Sequence, residues 1–176
     1  MSEYLTDCRI RIVRGVISTD DIIPGRYKHM YTNPADLAGH VFENLLPGFA
    51  VTLAEGDVLY CPDIFGVGSS REQAVSALQA AGVTAIFAPR FGRIFFRNSW
   101  NLGFLALEIG ELLVEEEEFV QINLAEGSIL TRSGLQHFQP PMPEMLLMRK
   151  AGGLLASVKL RESSDLTADQ RLTQDK

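Results

Sequence analysis

Cysteine is scarce in this chain: two residues in 176, Cys8 and Cys61, with no CxxC pair. Two thiols so far apart exclude a disulfide framework and cannot by themselves ligate an iron–sulfur cluster. Histidine is nearly as rare, and His29, His40 and His137 show no metal-ligand spacing. Positive charge is in deficit, with 16 basic against 22 acidic residues and a net charge of −6. That argues against nucleic-acid or anionic-membrane partners, while leaving room for a local basic pocket. No run of 18 apolar residues occurs, and MSEYLTDCRI at the start lacks the charged-then-apolar order of a signal peptide. A soluble, cytoplasmic protein with no membrane partner is therefore expected. Also missing are a glycine-lysine-serine/threonine phosphate loop, a GxGxxG turn and a GxSxG elbow, which leaves nucleotide and serine-hydrolase readings weak.

What is present is enough apolar material, 46% of residues, for one domain with a sizeable core. Residues 8–17, CRIRIVRGVI, alternate apolar and basic and predict an edge or half-buried strand. Ser18-Thr19-Asp20-Asp21 breaks it. Asn33 followed by Pro34 is a helix start, predicting a helix over 34–44. Strands are expected at 57–61, 83–88 and 103–107, and helices at 71–81, 91–100 and 142–150. A hairpin over 112–131 turns at Ala125-Glu126-Gly127-Ser128. No internal repeat shows. Strand and helix alternate in the middle while the ends are strand-rich, which predicts a mixed α/β domain. The expected division is a domain over 1–162 and a polar, flexible tail over 163–176.

Three polar clusters interrupt this pattern. The first is GVGSSREQA at 66–74, a glycine-rich turn opening onto a helix. Unpaired amides and the helix dipole make such a start suited to a carboxylate or phosphate, and glycine lets backbone come close to it. Ser69 and Glu72 stand at capping-box spacing, which leaves Ser70 and Arg71 as the freer pair. Arg71 offers a planar fork for a carboxylate. Taken alone, the turn is equally a well-capped helix start with a surface arginine. The second cluster, APRFGRIFFRN at 88–98, sets three arginines among aromatics. It reads either as a solvated amphipathic helix or as an arginine serving a site or a partner interface. The third, STDD at 18–21 with Arg26 nearby, is by itself an ordinary turn.

Together the three resemble one family, the small subunit of isopropylmalate dehydratase, which corresponds to the swivelling C-terminal domain of aconitase. STDDIIPGRY at 18–27 resembles its D-T-D-x-I-I-P-x-R-Y, GVGSSREQA its G-x-G-S-S-R-E-H-A, and AGVTAIFAPRFGRIFFRN at 81–98 its following segment. AGGL at 151–154 also agrees, so the likeness spans about residues 8–160. Val67 and Gln73 depart from the family's cysteine and histidine. The resemblance implies a swivelling β/β/α domain, a curved mixed sheet flanked by helices. It implies a hydro-lyase that isomerises 2- and 3-isopropylmalate by dehydration and rehydration in leucine biosynthesis. No cofactor is expected in this chain; a [4Fe–4S] cluster is expected on a large partner subunit, and the substrate is a small hydroxy-dicarboxylic or tricarboxylic acid. Ser70 would be the catalytic base, activated as an alkoxide. Ser69, Arg71, Arg26, Thr19 and Asp20 would bind or orient the substrate. Tyr27, Lys28, His29, Met30 and Tyr31 would form the specificity loop, which looks about one residue longer than the family's. Lys28 or His29 meeting a further carboxylate would instead suit a homoaconitase-like or dimethylmalate-type dehydratase. A non-catalytic carboxylate-binding module of the same fold is the remaining alternative. The isolated chain is also open to homo-oligomer formation through sheet edges.

Overall fold

In a computed structural model, residues 3–31, 33–69 and 71–160 are described, the side chains of Lys28 and His29 excepted. The expected tail at 163–176 lies outside them. The first strand, β1 (Tyr4–Ile12), is followed by the short β2 (Ile17–Ser18) and the single-turn helix α1 (Thr19–Ile22). A 3-10 turn at Gly25–His29 leads to α2 (Pro34–Ala38). Then come β3 (Asp57–Tyr60), β4 (Ile64–Val67), α3 (Glu72–Ala80), β5 (Val83–Ala88), β6 (Arg90–Phe91), α4 (Arg93–Asn101) and β7 (Leu105–Glu108). A meander of β8 (Phe119–Asn123), β9 (Ser128–Thr131) and β10 (Gly134–His137) precedes α5 (Pro143–Ala151).

The large sheet runs β10-β9-β8-β1-β3-β5-β7. The β1, β3, β5 and β7 neighbours are parallel, and the meander joins β1 antiparallel. The mixed α/β architecture expected from the sequence is the one observed. Side chains on the parallel strands alternate between two cores. Leu59 and Ile86 enter the core shared with α2 and α3, while Val58, Tyr60, Ala85 and Phe87 enter the one under α5 and the meander. Burial on both faces explains why these strands read as continuous apolar runs.

Each of β1, β3 and β5 breaks and resumes as a strand of a second sheet, β2-β4-β6, parallel throughout. Each of these short strands then feeds a helix: β2 into α1, β4 into α3, β6 into α4. The small sheet therefore sets three helix starts next to one another. Its close packing rests on two glycines. Gly66 in β4 has φ +76°, and a Cβ at Gly92, just before α4, would fall 2.1 Å from the Gly66 carbonyl oxygen.

Four expectations need correction. The 8–17 strand is two strands, and β1 is interior, between β8 and β3. Its arginines are accommodated there because Arg9 donates from Nε and Nη2 to the buried Asp57 at 2.8 and 2.9 Å, while Arg11 pairs with Glu116. The helix over 34–44 stops at Ala38, although Asn33 does cap it by accepting from the Ala35 amide. Gly39 ends it, and the chain proceeds by tight turns to Phe42, which holds a left-handed φ of +57°. The hairpin's first strand begins at Phe119, seven residues later than expected, and a third strand follows the second. Finally, STDD is a helical turn: Ser18 accepts from the Asp21 amide, and Asp21 Oδ2 accepts from the Ser18 amide, a complete capping box.

Candidate functional site

The capping box over Ser18–Asp21 fixes α1 at the end of β2, and it places Thr19 and Asp20 against the loop after β4. Thr19 is buried, and its hydroxyl donates to the Ser69 carbonyl at 3.3 Å. Asp20 is exposed, and its Oδ1 accepts from Arg71 Nη1 at 2.5 Å. The same nitrogen donates to the Ile23 carbonyl at 3.1 Å. Gly25 closes the group, since a Cβ there would lie 3.3 Å from both Arg71 Nη2 and Asp20 Oδ1. The segment 19–25 thus meets Ser69 and Arg71, and it surrounds one side of the Arg71 guanidinium.

The loop itself differs from the expectation in one respect. Helix α3 takes Arg71 as its N-cap residue and starts at Glu72, so Ser69 does not form a capping box with Glu72. Ser69 is exposed, with its carbonyl engaged by Thr19. Ser70 lies outside the described residues.

The structure separates Arg26 from this group. Its Nη2 donates to Glu43 Oε1 at 2.5 Å, and its guanidinium carbon lies 4.7 Å over the Tyr27 ring. Tyr27 is buried; its hydroxyl donates to Glu43 Oε2 at 2.7 Å, and its ring stacks on His40 at 4.1 Å. Tyr31 stacks on His40 as well, at 5.6 Å. His40 Nδ1 is 2.7 Å from Glu43 Oε2. Chiefly the Tyr27 hydroxyl, then His40 and Arg26, hold the Glu43 carboxyl below its ordinary range. Within the expected specificity loop, Met30 is exposed, and the backbone of Lys28 and His29 belongs to the 3-10 turn. Sequence reasoning missed His40 and Glu43. Their spacing of three fits a helix face, but nothing local pairs either with Tyr27. What aims them is the left-handed Phe42, whose amide donates to the Ile22 carbonyl.

Arg90, Arg93 and Arg97 of the second cluster are exposed, around and on α4. The two cysteines sit in different cores, Cys8 under the meander and Cys61 beside α3. Burial pushes the Cys8 thiol up to about 11 and raises Cys61 too, whereas cluster ligation needs thiolates. Among the described residues no three of His, Cys, Asp and Glu gather to hold a metal ion, and no helix is long and apolar enough to cross a membrane. The described residues therefore offer no ligand set for an iron–sulfur cluster.

Residues 54–112 match the family model of the aconitase C-terminal domain. A 3-isopropylmalate dehydratase small subunit from Archaeoglobus fulgidus is 39% identical over 145 residues, covering 81% of this chain and 88% of that one. One from Wolinella succinogenes is 40% identical over 148 residues, covering 82% and 88%. One from Deinococcus radiodurans is 43% identical over 155 residues, covering 85% and 73%. The crystal structure of 3-isopropylmalate dehydratase from Methanocaldococcus jannaschii superposes with a TM-score of 0.87 at 30% identity, over 94% of this chain and 99% of that one.

Proposed function

Because the chain belongs to the family of 3-isopropylmalate dehydratase small subunits, we propose that it is the small subunit of that hydro-lyase, supplying the proton-transfer and carboxylate-binding half of a shared site. The enzyme isomerises 2- and 3-isopropylmalate and serves leucine biosynthesis. The large subunit supplies the other half, including a [4Fe–4S] cluster as the Lewis acid for the departing hydroxyl group. The observation that carries the reading is the meeting of Thr19, Asp20 and Gly25 with Ser69 and Arg71 across some 50 residues of chain.

The residues of this chain divide the work as follows. Arg71 clamps a substrate carboxylate with its planar fork, which Asp20 and the Ile23 carbonyl orient through Nη1. Thr19, by holding the Ser69 carbonyl, fixes the backbone next to Ser70. Ser70 removes the carbon-bound proton and returns it on rehydration. A serine hydroxyl is a poor base at its free pKa, so the alkoxide needs stabilisation by the adjacent guanidinium and the start of α3.

A substrate panel on the complex with a cluster-carrying large subunit tests the reading. Turnover of 3-isopropylmalate, with homoaconitate and dimethylmalate left unconverted, is the expected result. Conversion of either of those acids in preference to isopropylmalate overturns it. Arg71→Lys keeps the charge but loses the fork. It is expected to cost about 2–3 kcal/mol of transition-state binding, read as a fall in kcat/KM; an unchanged kcat/KM would remove Arg71 from the clamp.

A further inference from the structure

We propose that the exposed face of α4, made by Arg93, Ile94 and Arg97 with Arg90 beside them, docks on an acidic surface of the large subunit. The proposal rests on the functional reading above and names the contact that closes the shared site.

Arg90, Arg93 and Arg97 are exposed, and among the described residues none of their guanidinium groups takes part in an ion pair or a hydrogen bond. By contrast, Arg9, Arg11, Arg26, Arg71 and Arg132 each reach a carboxylate. Among the described arginines only Arg14, between β1 and β2, shares the unpaired state. Acidic residues outnumber basic ones by 22 to 16, so the chain has carboxylates enough and places none of them here.

The arginines also work against the helix that carries them. Arg93 is the first residue of α4, where the positive end of the helix dipole disfavours a cation, and no acidic residue stands in that turn. Arg97 follows four residues on, which sets two like charges side by side on one face. Gly92 supplies no side-chain cap. An acidic surface from outside the chain offsets all of these costs at once. Ile94, 36% exposed beside the two arginines, adds apolar area, and arginine itself is enriched at protein interfaces.

This face borders the shared site. Gly92, the residue before Arg93, packs so closely on β4 that a Cβ would lie 2.1 Å from the Gly66 carbonyl oxygen and 3.1 Å from the Val67 Cα. From Val67 the chain runs directly into the loop that carries Ser69 and Arg71. A subunit that brings its cluster to a substrate held by Arg71 must come up to that loop, and the start of α4 is the loop's neighbour. Unpaired positive charge there also steers an acidic partner from a distance.

Binding of the full chain to an immobilised large subunit measures the contact, and kcat is read at saturating large subunit. Arg93→Glu should weaken association by about tenfold, chiefly through a slower on-rate, and added salt should shrink the difference. Arg97→Glu should act in the same way. Arg132→Glu, a charge reversal on the meander, should leave association unchanged. In all three, kcat at saturation should stay at the wild-type value. Arg93→Glu has a second readout that separates docking from folding. It puts an acid in the first turn of α4 and a Glu–Arg pair at 93 and 97, so the isolated chain should melt about 2 °C higher. Unchanged association in both Arg93→Glu and Arg97→Glu overturns the proposal. So does a lower melting temperature alongside weaker association, which traces the loss to the fold. A fall in kcat at saturation overturns it by giving the arginines to the substrate. An isolated wild-type dimer that the reversals break overturns it by giving the face to a second copy. A wild-type chain that does not associate with the large subunit at all overturns the functional reading instead.

Discussion

Alanine at Ser70 is expected to lower kcat of the reconstituted enzyme by about a thousandfold, the scale of a positioned general base. Substrate KM, the melting temperature of the chain and its association with the large subunit should change little, because the substitution removes a single hydroxyl. The chain neighbours of Ser70 are tethered on both sides. Ser69 is anchored by Thr19, Arg71 is anchored by Asp20 and Ile23, and α3 begins one residue later. Both chain neighbours of position 70 are thus held in place, and positioning is what a proton-transferring group requires. The variant should also fail to exchange the carbon-bound proton of 3-isopropylmalate with deuterated solvent. Turnover within about fivefold of wild type, together with retained exchange, would place the base elsewhere.

The second large effect is expected at a residue that touches no substrate. Gly92→Ala inserts a methyl group 2.1 Å from the Gly66 carbonyl oxygen and 3.1 Å from the Val67 Cα. Both obstacles are backbone of β4, so no side chain can rotate away. Either α4 withdraws from β4, or β4 shifts and carries the Gly68–Arg71 loop with it. The cost is expected at about 3–5 kcal/mol, at the upper end of overpacking effects. Chemical denaturation of the isolated chain measures it. Gly66→Ala should cost a comparable amount, because its Cβ would fall 2.3 Å from the Phe95 ring at a φ of +76°. A Gly92→Ala chain within about 1 kcal/mol of wild type would mean that α4 and β4 are more loosely joined than this contact implies.

Those two glycines also mark where the sequence is legible and where it is not. The parallel strands β3, β5 and β7 are readable as continuous apolar runs, and the helices α3, α4 and α5 by their spacing and stop signals. Gly82, at φ +94°, follows the C-cap of α3 and stops it in this way. The strands β2, β4 and β6 are not readable. β2 and β6 are two residues long and β4 is interrupted by Gly66, so none carries an apolar run of its own, and pairing with one another sustains them. The serine loop therefore reads as a bare turn, although its first two residues, Gly66 and Val67, end β4. The same limit applies to the site. Thr19, Asp20, Ser69 and Arg71 are found through motif resemblance, and the fold brings them together. His40 and Glu43 carry no motif of their own, and their place beside Tyr27 depends on a left-handed Phe42 that residue type does not announce.

The contacts that join the two halves of the site, Thr19 to Ser69 and Asp20 to Arg71, bridge separations of 50 and 51 residues. Neither can form until a long loop has closed, an entropic cost met only once the β1–β3 pairing is in place. Carboxylate recognition therefore belongs to the tertiary fold and to no local segment of the chain. A nascent or partly unfolded copy holds all the necessary residues and has no clamp, so the ability to bind substrate is acquired only with the completed topology.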